Sequence, residues 1–244
     1  MAGIELAAIG LASVAMAADV AGGVLATRGT LKESRYVIAL ASGIVIAAAF
    51  LELIPESFAG VSEDQAGTIA LVMAIGFFLF YLIEKLLVLH THEAKELEGS
   101  HTGSSLVVGG MAADNVIDGI GIAVAYAIDP LLAVALTVAI VAHEIPQGAA
   151  SAILLRRANY TTSAILGVLL LAGAMYPLGA GIASFLPSEW NGPTLAFVAG
   201  AFVYIGAGDL LLEAHRKFNW KVVALVIAGA ILMYAVSFVE KLRG

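Results

Sequence analysis

The sequence predicts an all-α polytopic membrane protein with eight transmembrane helices. Three observations carry that prediction. Eight apolar runs recur along the chain, each near the roughly 20 residues a helix needs to cross a bilayer. The chain is 61% hydrophobic and only 13% charged, which is far from a soluble domain of 244 residues. Apart from Lys241 and Arg243 at the C-terminus, Lys and Arg lie in or beside alternate linkers.

The runs cover residues 4–26, 36–55, 67–89, 104–127, 131–154, 162–185, 194–213 and 221–240, numbered here as spans 1 to 8. The first begins Met-Ala-Gly-Ile-Glu with no basic segment, and it is longer than a signal-peptide core, so it reads as a true span. Short linkers with turn or polar residues separate the runs, Asp129-Pro130 being the shortest and a polar loop at about 90–103 the longest. The 26 glycines suit helices packed closely in lipid. Without any cysteine, disulfides and thiolate metal sites are excluded. A formal net charge of −7 gives no electrostatic footprint for nucleic acid. Residues 1–244 read as a single transmembrane domain in a lipid bilayer.

Charge sets an expected orientation. Arg28, Lys32 and Arg35 mark the first linker, Lys85 and Lys95 the third, Arg156 and Arg157 the fifth, and Arg216, Lys217 and Lys221 the seventh. The even linkers have neither Lys nor Arg. The positive-inside rule then puts the odd linkers, including the loop at about 90–103, in the cytosol and both termini outside. The expected location is the cell (inner) membrane.

The chain also carries an internal echo. Gly43 to Glu56 aligns without gaps on Gly200 to Glu213, matching Glu52 with Asp209 and Glu56 with Glu213. Ile83-Glu84-Lys85-Leu86 resembles Val239-Glu240-Lys241-Leu242. Spans 2 and 7 run in opposite directions, as do 3 and 8. An inverted repeat of spans 1–3 and 6–8 flanking spans 4–5 would leave this trace, and such folds bind their cargo near the midplane.

Spans 4 and 5 hold two polar stretches, Asp114-Asn115-Val116-Ile117-Asp118-Gly119 and His143-Glu144-Ile145-Pro146-Gln147-Gly148. Ionisable groups at bilayer depth are costly and mark function. Asp114 and Asp118 share a helix face, as do His143 and Gln147, with Asn115 and Glu144 one step round. Pro146 removes a backbone donor and should loosen span 5. Gly119 and Gly148 permit close helix contact. Carboxylates, an imidazole and amides together suit Zn²⁺, Fe²⁺ or Mn²⁺, and a dication would relieve the mutual repulsion of the acids.

With these motifs, the chain resembles the ZIP (Zrt/Irt-like) family of divalent metal transporters. The likeness rests on Asn115, Asp118 and Gly119 in span 4, on His143, Glu144, Pro146 and Gly148 in span 5, and on Phe50 to Glu56 in span 2. It implies a central site between spans 2, 4, 5 and 6, alternating access of elevator or rocking type, cargo movement toward the cytoplasm, and a homodimer. Asp114 stands where the family usually has His, Gln147 where a bridging Glu is common, and Tyr176 in place of an acid of span 6. These departures favour one principal metal, held by Asp114, Asp118, His143 and Glu144 with Asn115 and Gln147 as weaker donors, and shift preference toward harder ions.

Glu52 and Asp209 are candidate stations on the pathway, Glu56 and Glu213 interfacial groups, and Asp19 a proton or packing partner. His90, His92 and His101 suggest metal capture or simply a solvated polar loop. No cofactor is expected, the metal being cargo, and no enzymatic activity. Two alternatives stay open: an intramembrane metalloenzyme with Glu144 as general base, and a degenerate metal-sensing homologue that does not transport.

Overall fold

The computed structural model describes the backbone of residues 2–29, 34–96 and 101–241, and within these the side chains of 6–29, 35–86 and 109–238. Among the described residues all regular structure is helical, and no strand occurs. Eight helical stretches are long and apolar enough to cross a membrane: Leu6–Thr27, Arg35–Ser57, Glu63–Leu86, Gly109–Ile128, Pro130–Arg157, Thr162–Ala183, Ser188–Ala214 and Trp220–Phe238. The chain is a multi-pass membrane protein, and these are spans 1 to 8.

Local chemistry sets several boundaries. Asp129 caps span 5 by accepting from the Leu131 N–H at 2.7 Å, with Pro130 at the first helical position, where its missing N–H costs nothing. Arg156 and Arg157 close the same span, where cations oppose the helix dipole. Thr161 caps span 6 through Ala164 N–H.

The polar loop expected at about 90–103 is mostly helix instead. Span 3 continues to Glu96, and the next helix begins at His101. Leu, Glu, Lys and Ala dominate residues 86–96, and such residues carry the ladder on past the membrane boundary. The side chains of His90, His92 and His101 lie outside those described, and so does a capture role for them. Span 3 also starts earlier than hydropathy implied, at Glu63, because polar first-turn residues extend it.

Prolines act differently in different spans. In span 6 the helix breaks at Ala174, between Thr162–Gly173 and Met175–Ala183, three residues before Pro177. In span 2 a π-helical turn over Ala49–Leu53 precedes Pro55. Span 5, by contrast, stays one unbroken helix through Pro146. Span 7 has a π-helical turn over Tyr204–Leu210 without any proline. There Ser42 of span 2 inserts its hydroxyl, donating to the Gly206 carbonyl at 3.0 Å. A side chain entering the ladder is a known cause of such irregularity.

The helices form two groups. Spans 1, 4, 5 and 6 pack mainly on one another, and so do spans 2, 3, 7 and 8, with spans 2, 3, 7 and 8 touching spans 4 and 5 across the boundary. Within the groups, four helix pairs are joined by reciprocal glycine contacts. A Cβ at Gly22 would lie 2.1 Å from the Ile145 carbonyl oxygen, and one at Gly148 2.1 Å from that of Asp19, so spans 1 and 5 touch backbone to backbone. Gly119 and Gly179 do the same against Tyr176 and Val116 between spans 4 and 6. Gly43 and Gly229 join spans 2 and 8, and Gly76 and Gly200 join spans 3 and 7. Small residues at such crossings are how helices associate in lipid, where no hydrophobic force separates one apolar face from another.

Candidate metal centre

The two polar stretches meet in the buried middle of the first group. Asn115, Asp118, His143 and Glu144 are buried, and Asp114 and Gln147 partly so. Their helices can approach this closely because Gly119 and Gly148 follow each stretch and lie against neighbouring backbone.

His143 organises the centre. Its Nδ1 lies 3.1 Å from the Ala139 carbonyl oxygen one turn earlier in the same helix. A carbonyl only accepts, so Nδ1 carries a proton, and Nε2 is the ring nitrogen turned toward the carboxylates. The Phe202 ring of span 7 meets the imidazole edge-on at 5.5 Å between centroids and holds it from behind. Nε2 stands 3.2 Å from Asp118 Oδ2 and 2.9 Å from Glu144 Oε1. Neither contact is aligned as a hydrogen bond, and Nε2, Asp118 Oδ2 and both Glu144 oxygens find no hydrogen-bond partner among the described residues. Two carboxylates this close to one ring nitrogen call for positive charge among them, supplied by a proton on Nε2 or by a metal ion that replaces it.

The other members divide by role. One ligand atom each from Asp114, His143 and Glu144 falls within 4.8 Å of the other two, close enough to hold one metal ion. Asp118 joins this group through the shared imidazole nitrogen. Gln147 donates its amide to Asp114 Oδ2 at 2.9 Å, which leaves Asp114 Oδ1 buried and unpaired. Asn115 donates to the Ala172 carbonyl at 2.9 Å, just before the break in span 6. Its amide therefore ties span 4 to span 6, and only its Oδ1 remains unpaired toward the centre. Tyr176 is fully buried, and its hydroxyl has no hydrogen-bond partner among the described residues.

Glu52 and Asp209 do not join the centre. Glu52 is buried in the π-helical turn of span 2 with Oε1 unpaired. Asp209 is exposed in the matching turn of span 7, within electrostatic reach of Glu84 and Glu213. Glu84, which the sequence echo contains without giving it a role, accepts from the Tyr204 hydroxyl across spans 3 and 7 and pairs with Lys85 at 2.6 Å. Its signal was present, an acid near the end of an apolar run beside a lysine. Asp19 was noticed without a role; it is fully buried, and neither carboxylate oxygen has a hydrogen-bond partner among the described residues.

Comparison with known proteins agrees with this geometry. Residues 89–237 match the family described as ZIP zinc transporter, and that stretch contains both polar motifs and spans 4 to 7 whole. Zinc transporter ZIP13 of Pongo abelii is 26% identical over 222 residues, which is 83% of this chain and 66% of that relative's length. With more than half of the chain matched, and both motifs of the buried centre inside the match, the protein belongs to the ZIP zinc transporter family.

Proposed function

We propose that this protein carries a divalent metal cation across its membrane by alternating access, with Asp114, Asp118, His143 and Glu144 as the principal ligands. The observation that carries this reading is the set of unpaired donors around His143 Nε2, 2.9 and 3.2 Å from two carboxylates. Ligand atoms about 2.1 Å from a shared ion stand about 3.0 Å apart at octahedral angles and about 3.4 Å apart at tetrahedral ones. The observed spacings suit cargo of the Zn²⁺, Fe²⁺ or Mn²⁺ kind. Asn115 and Gln147 contribute by holding span 6 and Asp114, with their amide oxygens as weaker donors. No resident cofactor is needed.

An inverted repeat of spans 1–3 and 6–8 belongs to the same proposal and favours the alternating-access part. The four glycine-joined pairs, spans 1–5, 4–6, 2–8 and 3–7, exchange among themselves if span 1 is swapped with 6, 2 with 7, 3 with 8 and 4 with 5. The π-helical turns of spans 2 and 7 coincide under the same exchange. Lysines and arginines in the odd linkers favour termini outside. Transfer toward the cytoplasm follows from the family likeness, and the inner membrane is the location that belongs to this proposal. A homodimer completes the proposal. Membership of a transporter family weighs against an intramembrane metalloenzyme.

The test is uptake into proteoliposomes, with Mn²⁺, Fe²⁺, Co²⁺, Zn²⁺ and Cd²⁺ in competition. We expect saturable flux that Asp118→Ala abolishes. Full uptake by Asp118→Ala would overturn the reading.

A further inference from the structure

At one edge of the boundary between the two helix groups the packing is incomplete. A cavity of about 310 Å³ lies among spans 3, 4 and 7 and the linker after span 6, with Val72, Ile117, Ile120, Leu186, Trp190 and Val198 in its wall. That wall is almost wholly apolar. Ordered water needs several polar partners, and apolar cavities of roughly 150 Å³ stay dry and take up apolar ligands instead. No donor of the metal centre lines the cavity. Ile117 and Ile120 share a face of span 4, distinct from the one that carries Asp114 and Asp118.

The depth of the wall points to its occupant. Leu186 and Trp190 stand at the membrane end, Leu186 in the linker between spans 6 and 7 and Trp190 in the short helical turn Ser188–Trp190. Ile117 lies eleven residues before Ile128, where span 4 ends. At about 1.5 Å per residue that is a depth of about 16 Å. Val72 lies nine residues after Glu63, where span 3 begins, and so reaches a similar level. A hydrocarbon core is roughly 30 Å thick. The cavity therefore runs from one membrane face to about the middle, which is the reach of one lipid chain in one leaflet. Spans 4 and 7 touch behind it, while spans 3 and 6 make no comparable contact in front. Trp190 at its end is 57% exposed, and an indole suits the level where hydrocarbon gives way to headgroups. The linkers and span ends on this side carry Glu63, Asp64, Asp129 and Glu189 and neither Lys nor Arg, so an anionic headgroup finds no partner there.

We infer that this cavity is a lipid site. It takes one acyl chain of a phospholipid without net charge, from the leaflet on the Asp129-Pro130 side, and holds it between span 4 and spans 3 and 7. One wall belongs to each helix group, so the chain fills the gap where the groups meet away from the metal centre. The ligand differs in class from the cargo, and the inference holds whichever metal is carried.

The test uses full-length protein in nanodiscs of phosphatidylcholine, a fraction of it carrying a photoreactive diazirine near the middle of one chain. Irradiation, digestion and mass spectrometry then locate the adducts. We expect them on Ile117, Ile120 or Val198, beyond the reach of lipid that merely surrounds the protein, since Val198 is buried and both isoleucines are half-buried. Adducts on Phe78 and Leu82, exposed on span 3, calibrate the surrounding lipid. Val72→Phe puts a ring into the cavity and should lose the cavity adducts while keeping those on Phe78 and Leu82. Thr194→Leu intrudes less on the same cavity, should weaken the cavity adducts, and serves if Val72→Phe does not fold. A phosphatidylglycerol probe should label the cavity no more than the phosphatidylcholine probe. Adducts confined to exposed residues, as water or a protein segment in the cavity would leave them, overturn the inference. Cavity adducts that persist undiminished in either folded variant overturn it too, as does cavity labelling by phosphatidylglycerol alone.

Discussion

Glu144 and Glu52 are both buried glutamates with unpaired oxygens in long apolar helices, yet they sit in opposite situations. Glu144 meets an imidazole whose other nitrogen is already committed, with two further carboxylates close by. Glu52 stands in a π-helical turn of the other helix group, and no cluster of potential ligands forms around it among the described residues. Asp209, its partner by sequence repeat, is exposed. The difference shows that burial of an acid in a span does not by itself make a metal site. What matters is convergence of donors from separate helices, and that depends on how closely those helices approach.

Four substitutions would break or sharpen this contrast. The largest effect is expected from Glu144→Gln. It removes the charge that faces His143 Nε2, and uptake should fall by more than the roughly 10- to 100-fold that loss of an outer-shell partner costs. Radiometal flux in proteoliposomes checks it. Gly119→Val comes next. Its side chain would meet the Tyr176 backbone, already 2.0 Å from an ideal Cβ, so spans 4 and 6 must separate. Overpacking of this kind costs about 1–3 kcal/mol, to be seen as a lowered unfolding temperature in detergent together with weakened metal binding. Glu52→Gln should be intermediate, changing flux by about five-fold for about 1 kcal/mol, since it alters one buried acid without disturbing the centre. Asp209→Asn should be smallest, within about two-fold, as expected of an exposed position. A large loss in Asp209→Asn with little in Glu144→Gln would invert the comparison and move the pathway to the second group.

Much of this was legible in the sequence, for identifiable reasons. Span number follows from hydropathy, because lipid requires each crossing helix to be long and apolar. Asp118, His143 and Glu144 were recognisable because four-residue spacing places side chains on one face and because two polar stretches occur in consecutive spans. The roles of Asn115 and Gln147 were not legible. Whether an amide faces a metal, a carbonyl or another side chain depends on a contact between helices, and Asn115 finds Ala172 across 57 positions of chain. Pro146 leaves span 5 continuous, with neighbours packed on several sides of it, whereas a proline in an isolated helix tends to interrupt it. The loop at about 90–103 failed because hydropathy marks where a span leaves the lipid and not where the helix stops.

The reciprocal glycine contacts have a mechanical consequence. Where two helices touch through their backbones, no side chains remain to rearrange, so the 1–5 and 4–6 seams resist sliding. The two groups meet instead through spans 2, 3, 7 and 8 against spans 4 and 5, with side-chain contacts such as Phe202 on His143. In the alternating access proposed above, small shifts of such side chains would let packed helices slide along this boundary. Spans 1, 4, 5 and 6 would then travel as one stiff block, with the imidazole, the carboxylates and Asp19 keeping their mutual distances while the wall around them changes.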